Sequence, residues 1–208
     1  MSNYDKMLAQ AQELFLGYDQ GEMIARWALA HDDNYLYVEY MTEALRIDRR
    51  TGAVGYARQP TAGEYRAADF VNEGMALFDL LTRSPVRPTP TGRWTSISTL
   101  GGIIGAGHDR TLSHEGTAAQ FQGRCAALAA ACRRLGGVPV GKADVGYAIP
   151  VFRDFQILFQ FWDGDDEFPA NIKYLFDENA LQFMHYETLW YVMRTLADRL
   201  AWYADARC

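Results

Sequence analysis

Cysteine is scarce: Cys125, Cys132 and Cys208 are the whole set in 208 residues, and no two form a C-x-x-C pair. Cys125 and Cys132 stand two helical turns apart in an Ala-rich stretch, about 10 Å along the axis. That exceeds the ~7 Å between Cα atoms that a disulfide can bridge. Both read as small buried hydrophobes, Cys208 reads as exposed, and no zinc or iron–sulfur site is expected from these three. Positive charge is short too. Lys and Arg number 20 against 26 Asp and Glu, a net charge of -6, which argues against a dedicated binder of phosphate backbones, so nucleic acid is not an expected partner. No stretch approaches ~18 uninterrupted apolar residues, so no membrane partner is expected. The opening residues, Met1-Ser-Asn-Tyr-Asp-Lys6, lack the basic and apolar regions of a signal peptide, and the expected location is cytoplasmic. Catalytic signatures are missing as well: there is no H-E-x-x-H and no nucleophile elbow. Gly101, Gly102, Gly105 and Gly107 do not follow the order G-x-G-x-x-G, and no Gly-Lys-Ser/Thr follows them. The stretch 101–107 reads as a surface loop, and no cofactor is expected.

What the chain does have suits a folded protein. Hydrophobic residues make up 49% and charged residues 22%, and a chain of this size buries about 70% of its surface on folding. Apolar residues recur at helical spacing over the first thirty positions, with a break expected near Gly17 or Gly21. Strands are expected at 35–40 and 44–48, with a hairpin turn at Arg49-Arg-Thr-Gly52 returning through 53–56. The capping-box spacing of Thr61 and Glu64 predicts a helix start, continued by Ala68, Val71, Met75, Leu77, Phe78 and Leu81. Three prolines between 84 and 93 mark a loop between halves. A short strand is expected at 94–100, and a long helix at 117–135 stopping at Gly136-Gly137. Three further strands are expected at 144–149, 155–162 and 172–176, the middle one apolar enough to be central. A last helix at 187–203 carries Leu189, Met193, Leu196 and Leu200 on one stripe. The expectation is one α+β domain over 1–208, a mostly antiparallel sheet with N-terminal, central and C-terminal helices.

Charge is concentrated in one place. Between Phe161 and Glu178 lie Asp163, Asp165, Asp166, Glu167, Asp177 and Glu178 against Lys173 alone, so -5 of the net -6 is local. Such density can hold a hard cation, yet a calcium loop starting at Asp163 would put Phe168 at the glycine position and Tyr174 at the closing glutamate. A turn between two strands, with Asp and Gly supplying its geometry and Pro169 its exit, is the simpler reading. His185 and Glu187 precede and open the last helix, where capping explains both. His108 and His114, beside Asp109 and Glu115, match no defined metal spacing. Cys125 with a distant histidine is a weak nucleophile reading, since its setting favours burial. Trp162, Phe168, Phe176, Phe183, Tyr186 and Trp190 surround the acidic run in sequence. Most are expected in the core, some lining a pocket beside the carboxylates.

The stretches Trp162-Asp-Gly-Asp-Asp-Glu-Phe-Pro-Ala170, Tyr174-Leu-Phe-Asp-Glu-Asn-Ala180 and His185-Tyr-Glu-Thr-Leu189 resemble the signature of a bacterial and archaeal family of unknown function. Gly92-Arg-Trp-Thr-Ser-Ile97, Asp144-Val-Gly-Tyr-Ala-Ile-Pro150 and the early hairpin from Leu45 to Val54 match the same pattern. The likeness spans nearly the whole chain, and 101–115 reads as an insertion. The resemblance implies no established activity and supplies no catalytic residue. Some members carry an extra cysteine-rich iron–sulfur segment, for which this chain has no cysteines. Two functions follow. The first is a non-catalytic binding or accessory module whose acidic edge faces a protein or small ligand. The alternative is a small cation-dependent enzyme or metal-binding protein using Asp163, Asp165, Asp166 and Glu167 with Asp177 or His185.

Overall fold

The computed structural model describes residues 3–100 and 114–205. They form two compact units, Met1–Thr89 with Leu181–Thr195 and Pro90–Ala180 with Leu196–Cys208.

In the first unit, α1 (Asn3–Leu16) and α2 (Gln20–Trp27) lead into β1 (Ala30–His31), β2 (Tyr35–Tyr40), β3 (Glu43–Asp48) and β4 (Val54–Tyr56). The four strands make one antiparallel sheet in chain order. α3 (Val71–Thr82) follows. The expected break in the first helix has a cause: Asp19 caps α2, its carboxylate accepting the Gly21 and Glu22 N–H groups at 2.7 and 3.1 Å. Alternation in β2 buries Leu36, Val38 and Tyr40, and β3 sets Leu45 and Ile47 against the first two of them. Phe15 of α1 meets Phe78 of α3 with ring centroids 4.9 Å apart. At Gly74 a Cβ would come within 2.8 Å of Leu8, so the missing side chain lets α1 and α3 approach. β1 was not foreseen; it lies just before the polar turn in which Asp32 accepts the Asn34 and Tyr35 N–H groups.

The start of α3 departs from expectation. Glu64 does accept the Thr61 N–H at 2.6 Å, as a capping box requires, but no helix follows until Val71. Arg58 takes both Glu64 oxygens, at 3.1 and 3.0 Å, and with Thr61 it holds this carboxyl down at about 2. The Tyr56 hydroxyl accepts the Ala67 N–H, and its ring meets Phe70 edge-on. The segment is thereby spent as a closed turn against β4.

In the second unit, β5 (Trp94–Ser96), α4 (Ile97–Leu100), α5 (His114–Ala119), α6 (Cys125–Arg134), β6 (Val138–Pro139), β7 (Val145–Phe152), β8 (Phe155–Trp162) and β9 (Asn171–Asp177) follow in turn. Its antiparallel sheet has the order β5-β9-β8-β7-β6, so the apolar β8 is central, as its composition predicts. One face of this sheet is all core: Phe155, Ile157, Phe159 and Phe161 stand beside Ile172, Tyr174 and Phe176 and beside Val145, Tyr147 and Ile149. α7 (Ala180–Phe183) and α8 (Tyr186–Asp205) complete the chain. Residues 186–195 of α8 belong to the first unit and 196–205 to the second. Its expected stripe of Leu189, Met193, Leu196 and Leu200 is buried. The architecture is α+β with antiparallel sheets.

Two other expectations change here. The strand predicted at 94–100 ends at Ser96, whose hydroxyl contacts those of Ser98 and Thr99 as the short α4 begins. The helix predicted at 117–135 is two helices. The chain turns between Phe121 and Arg124, with Gly123 at φ +69°, a conformation that glycine adopts without a Cβ clash. α6 does stop at the expected glycines, where the Gly137 N–H reaches the Cys132 carbonyl at 2.9 Å. The stretch 101–107, His108, Asp109, most of the inferred insertion at 101–115, and Cys208 lie outside the described residues.

Candidate functional site

The acidic run forms the loop from β8 to β9, and its carboxylates have different fates. Asp163 leaves β8 and is tied inward. Its oxygens accept N–H groups of Gly123, at 2.9 and 3.1 Å, and of Gly164, at 2.9 Å. Its own N–H donates to Asp144 at 2.8 Å. The Gly123 N–H holds its carboxyl below the usual value against partial burial, with help from the Cys125 thiol and Gly164. Gly164 is required: a Cβ there would lie 2.8 Å from both the Ala170 nitrogen and the Gln122 amide. This docking also explains the helix break, because the Gly123 N–H is directed at Asp163 instead of a helical carbonyl.

Asp165 makes the turn. One of its oxygens accepts the Phe168 and Glu167 N–H groups at 2.7 and 2.9 Å, and its own N–H donates to the Phe168 carbonyl at 2.9 Å. The Phe168 and then the Glu167 N–H hold this carboxyl down. The turn reading of the sequence is therefore correct for Asp165. Asp166 and Glu167 are exposed, and their side chains have no partner among the described residues. Phe168, one of the six aromatics of which most are expected in the core and some beside the carboxylates, is 67% exposed at the tip. Behind the tip, Lys173 sits over the Trp162 ring, 5.3 Å from its centroid.

Asp177 ends β9, at the opposite end of the strand from the loop and about 20 Å away at the usual rise per residue. It is 4% exposed. Its two oxygens accept the N–H groups of Thr91 (3.0 Å), Gly92 (2.7 Å) and Asn179 (3.1 Å) together with the Thr91 hydroxyl. Burial pushes its carboxyl up, but those donors outweigh burial and leave it below the usual value. The neighbouring Glu178 is bridged to Arg93 at 2.6 Å. Asp177 is thus not gathered with Asp163, Asp165, Asp166 and Glu167.

His185 belongs to the first unit and the acidic loop to the second. Its Nδ1 and backbone N–H contact the two oxygens of Asp79, each at 2.6 Å, and Arg83 reaches its Nε2 at 2.8 Å. Its carbonyl accepts the Thr188 N–H at 3.1 Å, in the first turn of α8, while the ring has partners that the sequence does not announce. Asp79 and Arg83 lie 106 and 102 positions away, and no local signal announces them.

No group of three His, Cys, Asp or Glu side chains that could hold a metal ion occurs among the described residues. Cys125 departs from its expected burial. It is half-buried, and its thiol donates to Asp163 at 3.4 Å. Desolvation, then Asp163 and Asp144, push this thiol up, the opposite of what activates a nucleophile. Cys132 is buried as expected and pushed up to about 12. No helix among the described residues is long and apolar enough to cross a membrane.

The fold and this loop define an α+β protein whose acidic segment is divided between structure and surface. Residues 19–199 match the model of a domain of unknown function, DUF3786, and the chain belongs to that family. No curated protein and no solved structure matches it.

Proposed function

We propose that this chain is a non-catalytic binding module of the cytoplasm, which docks a basic surface of a partner protein onto the tip Asp166-Glu167-Phe168. The exposure of Phe168 carries this reading. A large aromatic ring stands two-thirds in water beside two exposed carboxylates, on a loop tied at Asp163 and Asp165. Asp165 and Asp163 hold the tip in shape, so little conformational freedom is lost on binding. The unpartnered Asp166 and Glu167 favour Lys- and Arg-bearing surfaces, and an arginine can also stack on the Phe168 face. The overall charge of -6 likewise favours a basic partner and disfavours nucleic acid.

The test is capture by the immobilised full chain from a lysate of the cells it comes from. The comparison is with Asp166→Asn/Glu167→Gln/Phe168→Ala. A protein retained by the wild type, released as salt rises and absent from the variant fits the proposal. An identical retained set, or none, contradicts it.

A further inference from the structure

We propose that Asp79, His185 and Arg83 form an acid-responsive latch between the end of α3 and the start of α8. A guanidinium has donors and no acceptor. The Arg83 Nη1 contact at 2.8 Å therefore needs a lone pair on His185 Nε2. The ring proton must then sit on Nδ1, 2.6 Å from an oxygen of Asp79 that can only accept it. The two contacts together fix one neutral tautomer. This is the less common one, since a free neutral imidazole favours the proton on Nε2.

Protonating this ring changes the two contacts in opposite senses. The Nδ1 contact becomes an ion pair with Asp79. Nε2 becomes a donor facing a donor, one cation beside another, and the Arg83 Nη1 must leave. Arg83 keeps a second tether, from its Nε to the Leu181 carbonyl at 3.1 Å, so acid frees one end of the guanidinium without unfolding the segment.

Among the described residues, the groups that hydrogen-bond to the ring are Asp79 and Arg83. Asp79 faces it from α3 and Arg83 from just past the end of that helix, while α7 contributes only Ala, Leu, Gln and Phe. Tyr186 and Glu187 follow His185 as the first residues of α8. Arg26 of α2 is directed elsewhere, to the Leu81 and Pro85 carbonyls. The His185 side chain is 56% exposed while Asp79 is 12% exposed, so bulk protons reach the ring directly and the acceptor behind it stays fixed. Swapping a hydrogen-bonded chain for an ion pair is the form of a histidine switch.

Histidine- and arginine-labelled full-length protein tests this by long-range proton–nitrogen NMR, with His185 assigned by loss of its signal in His185→Gln. Before the ring protonates, its neutral form should carry the proton on Nδ1. As the ring signals report protonation, the Arg83 side-chain signals should move in step. In Asp79→Asn the tautomer preference should weaken, since the amide oxygen is a poorer acceptor than the carboxylate while Arg83 still faces Nε2. A neutral ring protonated on Nε2 in the wild type overturns the latch, as do Arg83 signals that ignore the protonation of His185. Both readings come from the wild type, so the proposal stands or falls even where Asp79→Asn fails to fold.

Discussion

The two ends of β9 carry carboxylates of the same chemistry in opposite circumstances. At the C-terminal end Asp177 is buried, and among the described residues Thr91, Gly92 and Asn179 supply its donors. It thereby ties the segment entering β5 to the strand beside it. At the other end Asp165 is exposed and serves only its own loop, while Asp166, Glu167 and Phe168 face water. A buried carboxylate is tolerated when donors satisfy it, and its removal then orphans those donors. An exposed carboxylate contributes little to the fold and stays available. Local charge density of -5 in the sequence is thus not one feature. It is a structural anchor and a free surface on one strand.

The largest effect that can break this contrast belongs to Asp177. Asp177→Ala should cost about 3 kcal/mol by urea unfolding, because three backbone N–H groups lose their acceptor in a buried setting. Asp177→Asn, keeping one acceptor oxygen, should lose less. Equal stability of wild type and Asp177→Ala would mean the anchor is no anchor. The pH dependence sharpens the point. The folded Asp177 carboxyl lies below its usual value, so its contribution is full above about pH 4 and is lost as pH falls through the folded value. The gap between wild type and Asp177→Ala should therefore close on acidification. A gap constant down to the acid unfolding transition would contradict this assignment.

Smaller effects belong to the other end. Gly164→Ala forces a Cβ against the Ala170 nitrogen and should destabilise by about 1–2 kcal/mol. Below that, Asp166→Asn/Glu167→Gln/Phe168→Ala should change stability by no more than about 0.5 kcal/mol, since nothing in the fold leans on those side chains. A larger loss in a melting experiment would place the tip in the fold and not on the surface.

Much of the fold is legible from local pattern. The apolar run of β8 places it at the sheet centre, alternation gives β2, and the double glycine ends α6. Elsewhere a distant partner overrides a local signal. The stretch 117–135 reads as one helix, but Asp163, forty positions from Gly123, takes the Gly123 N–H where the helix breaks; the glycine is the available clue. Thr61 and Glu64 have the spacing of a helix start, but Arg58 closes them into a turn. At the site, Asp and Gly chemistry identifies the turn. Phe168 looks like a core residue by type, but it stands exposed in the turn that Asp165 closes. The ring partners of His185 are invisible for the same reason.

The contrast between the two ends is tested most directly by the affinity of a captured partner for two proteins, wild type and Phe168→Ala, each with its unfolding midpoint measured alongside. A ring that anchors the interface should weaken binding at least ~10-fold when removed, with the midpoint unchanged. An unchanged Kd, or a loss of binding that merely follows a fall in the midpoint, would contradict the account.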